Sequence, residues 1–239
     1  MILALARASL VRQRARTLLA VVGVAISAAM LLDMVMLASG MRVSFGSLLI
    51  SQGFQIRLAP RGTLPFDTDA TIPDASEIME KLRSRGDVMA VSPVLGAQLH
   101  VEHDTASVSA AALGTIAAVQ GDYKLLDGRL PSEENEIAAN DALLTAVGAR
   151  IGDTLRVAAG FDPQLRAYTG QRALRVVGRV HFIYLSAGER AMALPLATLQ
   201  SMEGPTRADR VSLMMVRLRS GADVEAARAA IERDVHTVS

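Results

Sequence analysis

Residues 17–40, TLLAVVGVAISAAMLLDMVMLASG, decide the class of this protein. Over residues 18–40, 18 of the 23 side chains are apolar. The exceptions are Gly23, Ser27, Asp33, Ser39 and Gly40. As an α-helix this stretch extends roughly 35 Å, which is enough to cross a hydrocarbon core of about 30 Å with some tilt. It therefore predicts a transmembrane helix over residues 17–40 and argues against an ordinary soluble single domain.

A cleaved signal peptide is the alternative interpretation of this stretch. Signal peptides also begin with basic residues, but their apolar region is normally about 7–15 residues long and ends at a small-residue cleavage site. Ala38, Ser39 and Gly40 would serve as such a site. The longer apolar run favours an uncleaved membrane anchor.

Positive charge lies mainly on one side of the predicted helix. Residues 1–16 carry four arginines, whereas only Arg42 follows closely on the other side. The four are Arg7, Arg12, Arg14 and Arg16. Because basic residues stay on the cytoplasmic side of a span, we expect residues 1–16 in the cytoplasm and residues 41–239 outside the cytoplasmic (inner) membrane. The spacing of apolar residues in 1–16 indicates an amphipathic helix on the membrane surface, with a disordered basic flank as the alternative.

Polar and small residues inside the span indicate contacts with other helices. Gly23 and Ser27 form a small-xxx-small pair, which lets a second helix approach closely in lipid. Asp33 is unusual, because an aspartate at mid-membrane costs on the order of 3 kcal/mol. We expect Asp33 to make a polar contact inside a helix bundle; an interfacial charge is the alternative.

Composition excludes several classes of protein. The 25 basic and 24 acidic residues give a net charge of +1, and without the four arginines of residues 1–16 the remainder carries 21 minus 24, or −3. A nucleic-acid-binding protein is therefore disfavoured, since phosphate contacts need a basic face on the folded part. The absence of cysteine excludes disulfides, thiol catalysis and cysteine-ligated metal.

No constellation of residues predicts catalysis, a metal or a cofactor. The sequence lacks nucleotide-binding, zinc-protease and nucleophile-elbow motifs. His100 and His103 are three residues apart, so on a strand they point to opposite faces and do not share a metal. His181 and His236 have no obvious partners, and the acidic run Glu133, Glu134 and Glu136 is interpreted as a solvated turn.

Residues 41–239 predict a water-soluble α+β domain. Residues 54–58 alternate as a half-buried strand, and a helix follows with Asp74 as its N-cap, Glu77 completing a capping box and Gly86 ending it. Residues 88–101 return as extended chain, broken around Pro93 and Gly96.

A second pass of the same pattern occurs near the C-terminus. Residues 211–218 predict a strand, and Asp223 caps the helix that follows. The two passes predict a duplicated split βαβ (ferredoxin-like, porter-type) layer from residues 41–114 plus 206–239. Residues 115–205 would then be a mainly β insertion.

Within this insertion, local signals predict one short helix between strands. Asn140 can cap a helix that Gly148 ends. Strands are expected at residues 154–157 and 174–182, a turn at Asp127 and Gly128, and a loop over residues 160–170.

Several stretches together resemble a known family, the MacB/FtsX-like permeases of ABC transporters. They are residues 7–10 with 16–26 (RASL, RTLLAVVGVAI), 126–131 (LDGRLP), 135–137 (NEI), Asn140, Gly148, 151–155 (IGDTL), 176–180 (VVGRV), 193–200 (ALPLATLQ) and 221–224 (GADV). The resemblance covers nearly the whole chain and is carried by the order and spacing of these motifs.

The resemblance implies a non-catalytic permease subunit with a MacB-like periplasmic core domain. Such a subunit pairs with a second copy or a paralogue and with a cytoplasmic ATPase, transmits ATP-driven motion to its outer domain, and in some systems meets a periplasmic adaptor or another envelope protein. The family adds three transmembrane helices after this domain, so we expect either the N-terminal half of a permease or a single-pass relative.

Two other hypotheses stay open at this point. One is a single-pass scaffold or sensor whose outer domain binds a partner protein. The other is a secreted enzyme with a cleaved leader, although no catalytic residues can be named for it.

Overall fold

The computed structural model describes residues 14–51, 53–62, 70–162, 164, 167–186, 188–235 and 238. The chain divides into two compact units, Met1–Gln52 and Gly53–Ser239. The second unit is a mixed α/β domain, as the sequence predicts at this level.

The first unit is a single helix, α1, which spans Arg14–Ser51 and is 38 residues long. Its apolar window is Leu18–Met36. The helix continues through Gly40, where the sequence pattern predicts extended and alternating chain. No proline interrupts residues 41–51, so nothing in the local chemistry stops the helix at the end of the apolar run. At about 1.5 Å per residue, α1 is roughly 57 Å long.

The second unit alternates strands with short helices. Its strands are β1 (Ile56–Leu58), β2 (Val88–His103), β3 (Ala106–Thr115), β4 (Tyr123–Gly128), β5 (Glu136–Ala139), β6 (Thr154–Ala158), β7 (Gly160–Asp162), β8 (Ala167–Thr169), β9 (Arg172–Phe182), β10 (Ala191–Pro195) and β11 (Leu213–Leu218). Its α-helices are α2 (Ala75–Arg83), α3 (Asp141–Val147), α4 (Leu196–Glu203) and α5 (Val224–Asp234), with a 3₁₀ turn at Pro205–Arg207.

One part of the domain is a three-stranded antiparallel layer with two helices. The strands lie in the order β1, β11, β2. Alternate side chains of these strands, such as Leu58 and Val216, pack with Ile78 of α2 and Ile231 of α5 in one buried cluster. Single bridges add Val238 beside Pro60 and Ile72 beside Val211.

The other part is a closed barrel of six strands, which the sequence analysis did not predict. Each strand pairs with the next in the order β2, β3, β10, β5, β9, β6, and β6 pairs back to β2. The interior is filled by alternate apolar side chains, joined by residues of α3 and α4. Most of the predicted insertion is therefore not a separate element, because β2 and β3 complete its barrel. Strand β4 pairs with the later part of β9, Gly178–Phe182, beyond the residues of β9 that pair with β6.

Strand β2 belongs to both parts of the domain. It runs unbroken for 16 residues, so the predicted break around Pro93 and Gly96 is wrong. The strand stays continuous because a side chain replaces the lost partner at the point where β2 separates from β11. The backbone N–H of Gly96 donates to the hydroxyl of Ser212 at 3.0 Å, which replaces a strand partner just beyond the start of β11.

Two of the predicted helix caps are confirmed and one is wrong. The side chains of Asn140 and Asp223 accept backbone N–H bonds at the starts of α3 and α5, and Gly148 ends α3 in the left-handed conformation. Asp74 precedes α2 but makes no side-chain cap, and α2 ends at Arg83 before Gly86.

The cap of α2 comes from a distant part of the chain. The carboxylate of Asp209 accepts from the backbone N–H of Ser76 at 2.9 Å and from its hydroxyl at 2.6 Å. Asp209 thus satisfies an N-terminal N–H group of the helix that Asp74 leaves open.

Two local predictions in the β-rich segment need correction. Residues 160–170 are not a simple loop, because β7 and β8 pair as an antiparallel hairpin. Asp127 and Gly128 do not form a free turn but end β4 against β9. Gly128 has a φ of 76°, and a Cβ there would overlap the carbonyl oxygen of Val177. The strand therefore needs glycine at this close approach.

Candidate functional site

The apolar window of α1 is the most prominent surface among the described residues. Its large apolar side chains are 46–74% exposed. At about 1.5 Å per residue, Leu18–Met36 extends roughly 28 Å, close to the thickness of a hydrocarbon core. By length and composition this helix can cross a membrane, although a signal sequence passes the same test. Such a continuous apolar surface calls for lipid or a partner.

The predicted packing residues Gly23 and Ser27 lie one turn apart on α1. The hydroxyl of Ser27 donates to the carbonyl oxygen of Gly23 at 3.0 Å, so this polar group is satisfied within the helix. A Cβ at Gly23 would meet nothing within 4 Å. This surface is open to a second helix, and its packing role stays a prediction.

Asp33 lies in the exposed part of α1, three residues before the window ends at Met36. At about 100° per residue, Asp33 lies about 80° around the helix from Gly23 and about 120° from Ser27. The structure therefore does not gather these three residues on one face. A polar partner for Asp33 stays a prediction.

The basic residues before the span are described in part. Arg14 and Arg16 lie in the first turn of α1. Arg7 and Arg12, with the rest of the flank over residues 1–13, lie outside the described residues.

The segment that follows α1 is bound tightly to β11. Phe54 is fully buried, and the guanidinium of Arg217 lies 4.6 Å from the centroid of its ring. The side-chain oxygen of Gln55 accepts from the backbone N–H of Leu218 at 2.8 Å. Nothing in the local sequence predicts these contacts, since the partners are about 160 residues apart.

Asp122 is a buried acidic group of the domain. It is 5% exposed, its Oδ2 has no hydrogen-bond partner, and burial raises the pKa of its carboxyl to about 6. Arg57 of β1 attracts the carboxylate, and Tyr184 after β9 also interacts with it electrostatically. The group links the three-stranded layer to the barrel side of the domain.

Glu136 is a second buried carboxyl, and its pKa shifts in the direction opposite to that of Asp122. Arg129 binds both of its oxygens, one at 2.6 Å, and the backbone N–H groups of Ser132 and Glu133 donate to Oε2. The hydrogen bonds from Arg129 lower the pKa of Glu136 to about 2. The interpretation of Glu136 as part of a solvated turn is therefore wrong, because it orders the loop before β5.

A shallow groove lies beside the end of α3, with a volume of about 550 Å³. Arg179 pairs with Asp141 there at 3.1 Å, and Asp127 and Arg150 complete a balanced set of charges. This balance gives the groove no preference for a cation or an anion.

The three histidines that the structure describes have separate surroundings. His103 Nδ1 lies 3.1 Å from the carbonyl oxygen of Val147, whereas the ring of His100 lies beside Tyr168 with centroids 5.7 Å apart. His181 is exposed, and His236 lies outside the described residues. Within the described part of the chain, no group of three or more metal-ligating side chains comes together.

The sequence matches one protein family, and the fold is similar to those of several solved structures. The family profile of the MacB-like periplasmic core domain matches residues 17–234. A search of curated proteins gave no significant match.

Two solved structures share the fold at low sequence identity. The periplasmic region of MacB from Actinobacillus actinomycetemcomitans aligns with a TM-score of 0.55 at 16% identity, covering 74% of this chain and 80% of that chain. The extracellular domain of the noncanonic ABC-type transporter YknZ from Gram-positive bacteria aligns with a TM-score of 0.53 at 15% identity, covering 76% and 95%.

The family match includes most of α1 and nearly all of the α/β domain, and it agrees with the resemblance drawn from the sequence motifs. The chain therefore belongs to the MacB-like periplasmic core domain family of ABC transporter permease-type proteins.

Proposed function

We propose that this chain is the N-terminal part of a permease subunit of an ABC transporter. In this proposal it passes ATP-driven motion from a cytoplasmic ATPase to an outer domain, for export or extraction of an envelope substrate. The observation that carries the proposal is the family match over residues 17–234, which runs through both the apolar helix and the outer domain. The subunit itself is non-catalytic, and ATP hydrolysis takes place in a separate subunit.

The proposed topology follows from charge and length. Arg7, Arg12, Arg14 and Arg16 precede the apolar window, which supports an N-terminus in the cytoplasm of a cell with this helix in its inner membrane. Residues 53–239 then fold on the other side.

The continuity of α1 supports a mechanical role. The helix extends beyond the apolar window through residues 37–51, which adds roughly 22 Å without interruption. A continuous helix moves as a rod, whereas a flexible linker of the same length dissipates a displacement.

In this proposal, partner helices contact the small and polar residues of the span. A second permease copy or paralogue would pack against the Gly23 and Ser27 face, and Asp33 would meet a polar group of a neighbouring helix. A periplasmic adaptor or another envelope protein would contact the outer domain.

We also infer that the three-stranded layer derives from a duplicated split βαβ unit. The supporting observations are the two passes β1–α2–β2 and β11–α5, with Val238 bridged beside Pro60 after α5. This order of strands is the one that two such units give when they interleave.

A pair of insertions after Gly40 tests the proposal. Seven flexible Gly/Ser residues interrupt the rod, whereas seven helix-forming residues lengthen it and rotate it by only about 20°. The permease is assembled with its ATPase in lipid nanodiscs, and hydrogen exchange of the outer domain is compared with and without ATP and orthovanadate. We expect the nucleotide-dependent change to persist with the helical insertion and to disappear with the flexible one.

Two results would contradict the proposal. A nucleotide-dependent change that survives the flexible insertion would exclude mechanical coupling through α1. Purification of the chain with an outer partner but with no ATPase would favour the single-pass scaffold or sensor instead.

A further inference from the structure

The residues that follow α1 are fixed to the domain by one strand. The helix ends at Ser51, and Gly53 to Gln55 run directly onto β11. Phe54 has no exposed surface, and the Arg217 guanidinium covers its ring at 4.6 Å from the centroid. A cation over a buried aromatic ring makes a strong, directional contact.

Backbone and side-chain hydrogen bonds reinforce this attachment. The backbone N–H of Gln55 donates to the carbonyl oxygen of Val216 at 3.1 Å, and its side-chain oxygen accepts from the N–H of Leu218 at 2.8 Å. Gly53 has a φ of 77°, and a Cβ there would lie 3.3 Å from Nε of Arg217. We call Gly53, Phe54, Gln55 and Arg217 the junction clamp.

The strand that holds the clamp leads into the rest of the domain. β11 pairs with β2 from Leu213 to Leu218, and β2 continues as a strand of the barrel. The register between β11 and β2 shifts at Arg217 and Leu218. Such an irregularity commonly redirects a side chain, and Arg217 is the residue that covers Phe54.

We propose that the junction clamp is the point where movement of α1 enters the outer domain, and that the β11–β2 pairing carries it to the barrel. This inference rests on the proposed function. Chain connectivity brings α1 to Gly53, and the described contacts of Phe54 and Gln55 then fix the incoming chain to β11. Arg217 acts as a positioning residue, because it holds the attachment rather than contacting a substrate.

The test compares two arginines of the same strand end. Arg217→Met removes the guanidinium and retains much of the apolar stem, whereas Arg219→Met makes the same change at an exposed side chain two residues further on. The permease is assembled with its ATPase in nanodiscs, and hydrogen exchange is followed at residues 53–58 and 88–94 with and without ATP and orthovanadate. Gln55→Ala is a second variant that weakens the clamp without changing Arg217.

We expect Arg217→Met to increase local opening of residues 53–58 by about 5- to 30-fold in the absence of nucleotide. The nucleotide-dependent change at residues 88–94 should fall at least about threefold in Arg217→Met and Gln55→Ala. Arg219→Met should behave as the wild type in both respects.

Two different failures are distinguishable. If the wild type shows no nucleotide-dependent change anywhere in residues 53–239, the proposed function fails and the role of the clamp fails with it. If the wild type changes elsewhere in the domain but not at residues 88–94, this inference alone is overturned. If the wild type responds and both clamp variants respond equally, while residues 53–58 open more easily, the clamp only stabilises the fold and this inference alone is overturned.

Discussion

The helix α1 and the barrel use the same apolar residue types in opposite ways. Leu31 of α1 is 67% exposed, whereas Leu99 inside the barrel is 0% exposed. The barrel buries its apolar side chains against one another, so its stability lies within the domain. The apolar surface of α1 is left for an external medium, which is lipid in the proposed function. Hydrophobic composition alone therefore does not distinguish a core from a lipid-facing surface. The difference is that surrounding strands enclose the apolar side chains of the barrel, whereas none encloses the described side chains of α1.

The largest expected effect on stability comes from a leucine-to-alanine substitution, made once in the barrel and once in α1. Leu99→Ala should lower the free energy of unfolding of the domain by about 2–5 kcal/mol, because it leaves a cavity in a filled barrel. Leu31→Ala should change it by less than about 0.5 kcal/mol. Denaturant unfolding of the full chain in detergent, followed by circular dichroism, measures both. A comparable loss in the two variants would show that Leu31 is as important to the folded domain as Leu99.

One acidic residue in each region tests the same contrast through the pH dependence of stability. The folded pKa of Asp122, about 6, lies above its ordinary value of 3.8. The folded state therefore binds the proton of Asp122 more tightly than the unfolded state does. The stability that this proton contributes is lost as the pH rises from about 4 to 6. This difference corresponds to at most about 3 kcal/mol.

Asp122→Asn should remove this pH dependence and raise the thermal midpoint at pH 7.5 relative to the wild type. Asp33→Asn in α1 serves as the matched control and should leave the pH dependence of the domain unchanged. Thermal unfolding between pH 4.5 and 7.5 measures both variants. A wild-type domain that gains stability between pH 5 and 7 through Asp122 would contradict the assignment.

The smallest expected effect concerns glycines. A Cβ at Gly178 would overlap the carbonyl oxygen of Arg129, whereas a Cβ at Gly23 would meet nothing within 4 Å. Gly178→Ala should therefore cost about 1–3 kcal/mol of domain stability. Gly23→Ala should leave the domain unchanged, and any effect should appear in association of the span with another helix. Equal losses of domain stability would show that the close approach at Gly178 is unimportant.

The sequence predicts those features whose determinants are close together in the chain. Asn140 with Gly148 identifies α3, and Asp223 identifies α5, because each cap bonds to residues two to four positions away. The apolar run identifies α1 but not its end. The predicted helix ends at Gly40, whereas α1 continues to Ser51 because no proline follows the run.

Features that depend on distant partners were not predicted. Asp209 caps α2 from 133 residues away, and the barrel closes only when β6 meets β2. The junction clamp joins Gln55 to Leu218, which is 163 residues further along. Local propensity carries no information about such pairs.

The central claim is that α1 crosses a membrane and carries the domain on the outer side. Single cysteines test it directly, since the native chain contains no cysteine and gives no background. Thr105→Cys lies at an exposed turn of the domain, and Ser9→Cys lies before the span. We predict that a membrane-impermeant maleimide labels Thr105→Cys in intact spheroplasts and labels Ser9→Cys only after permeabilisation, with both proteins in the membrane fraction. External labelling of Ser9→Cys, or recovery of a soluble chain that lacks the span, would contradict the account.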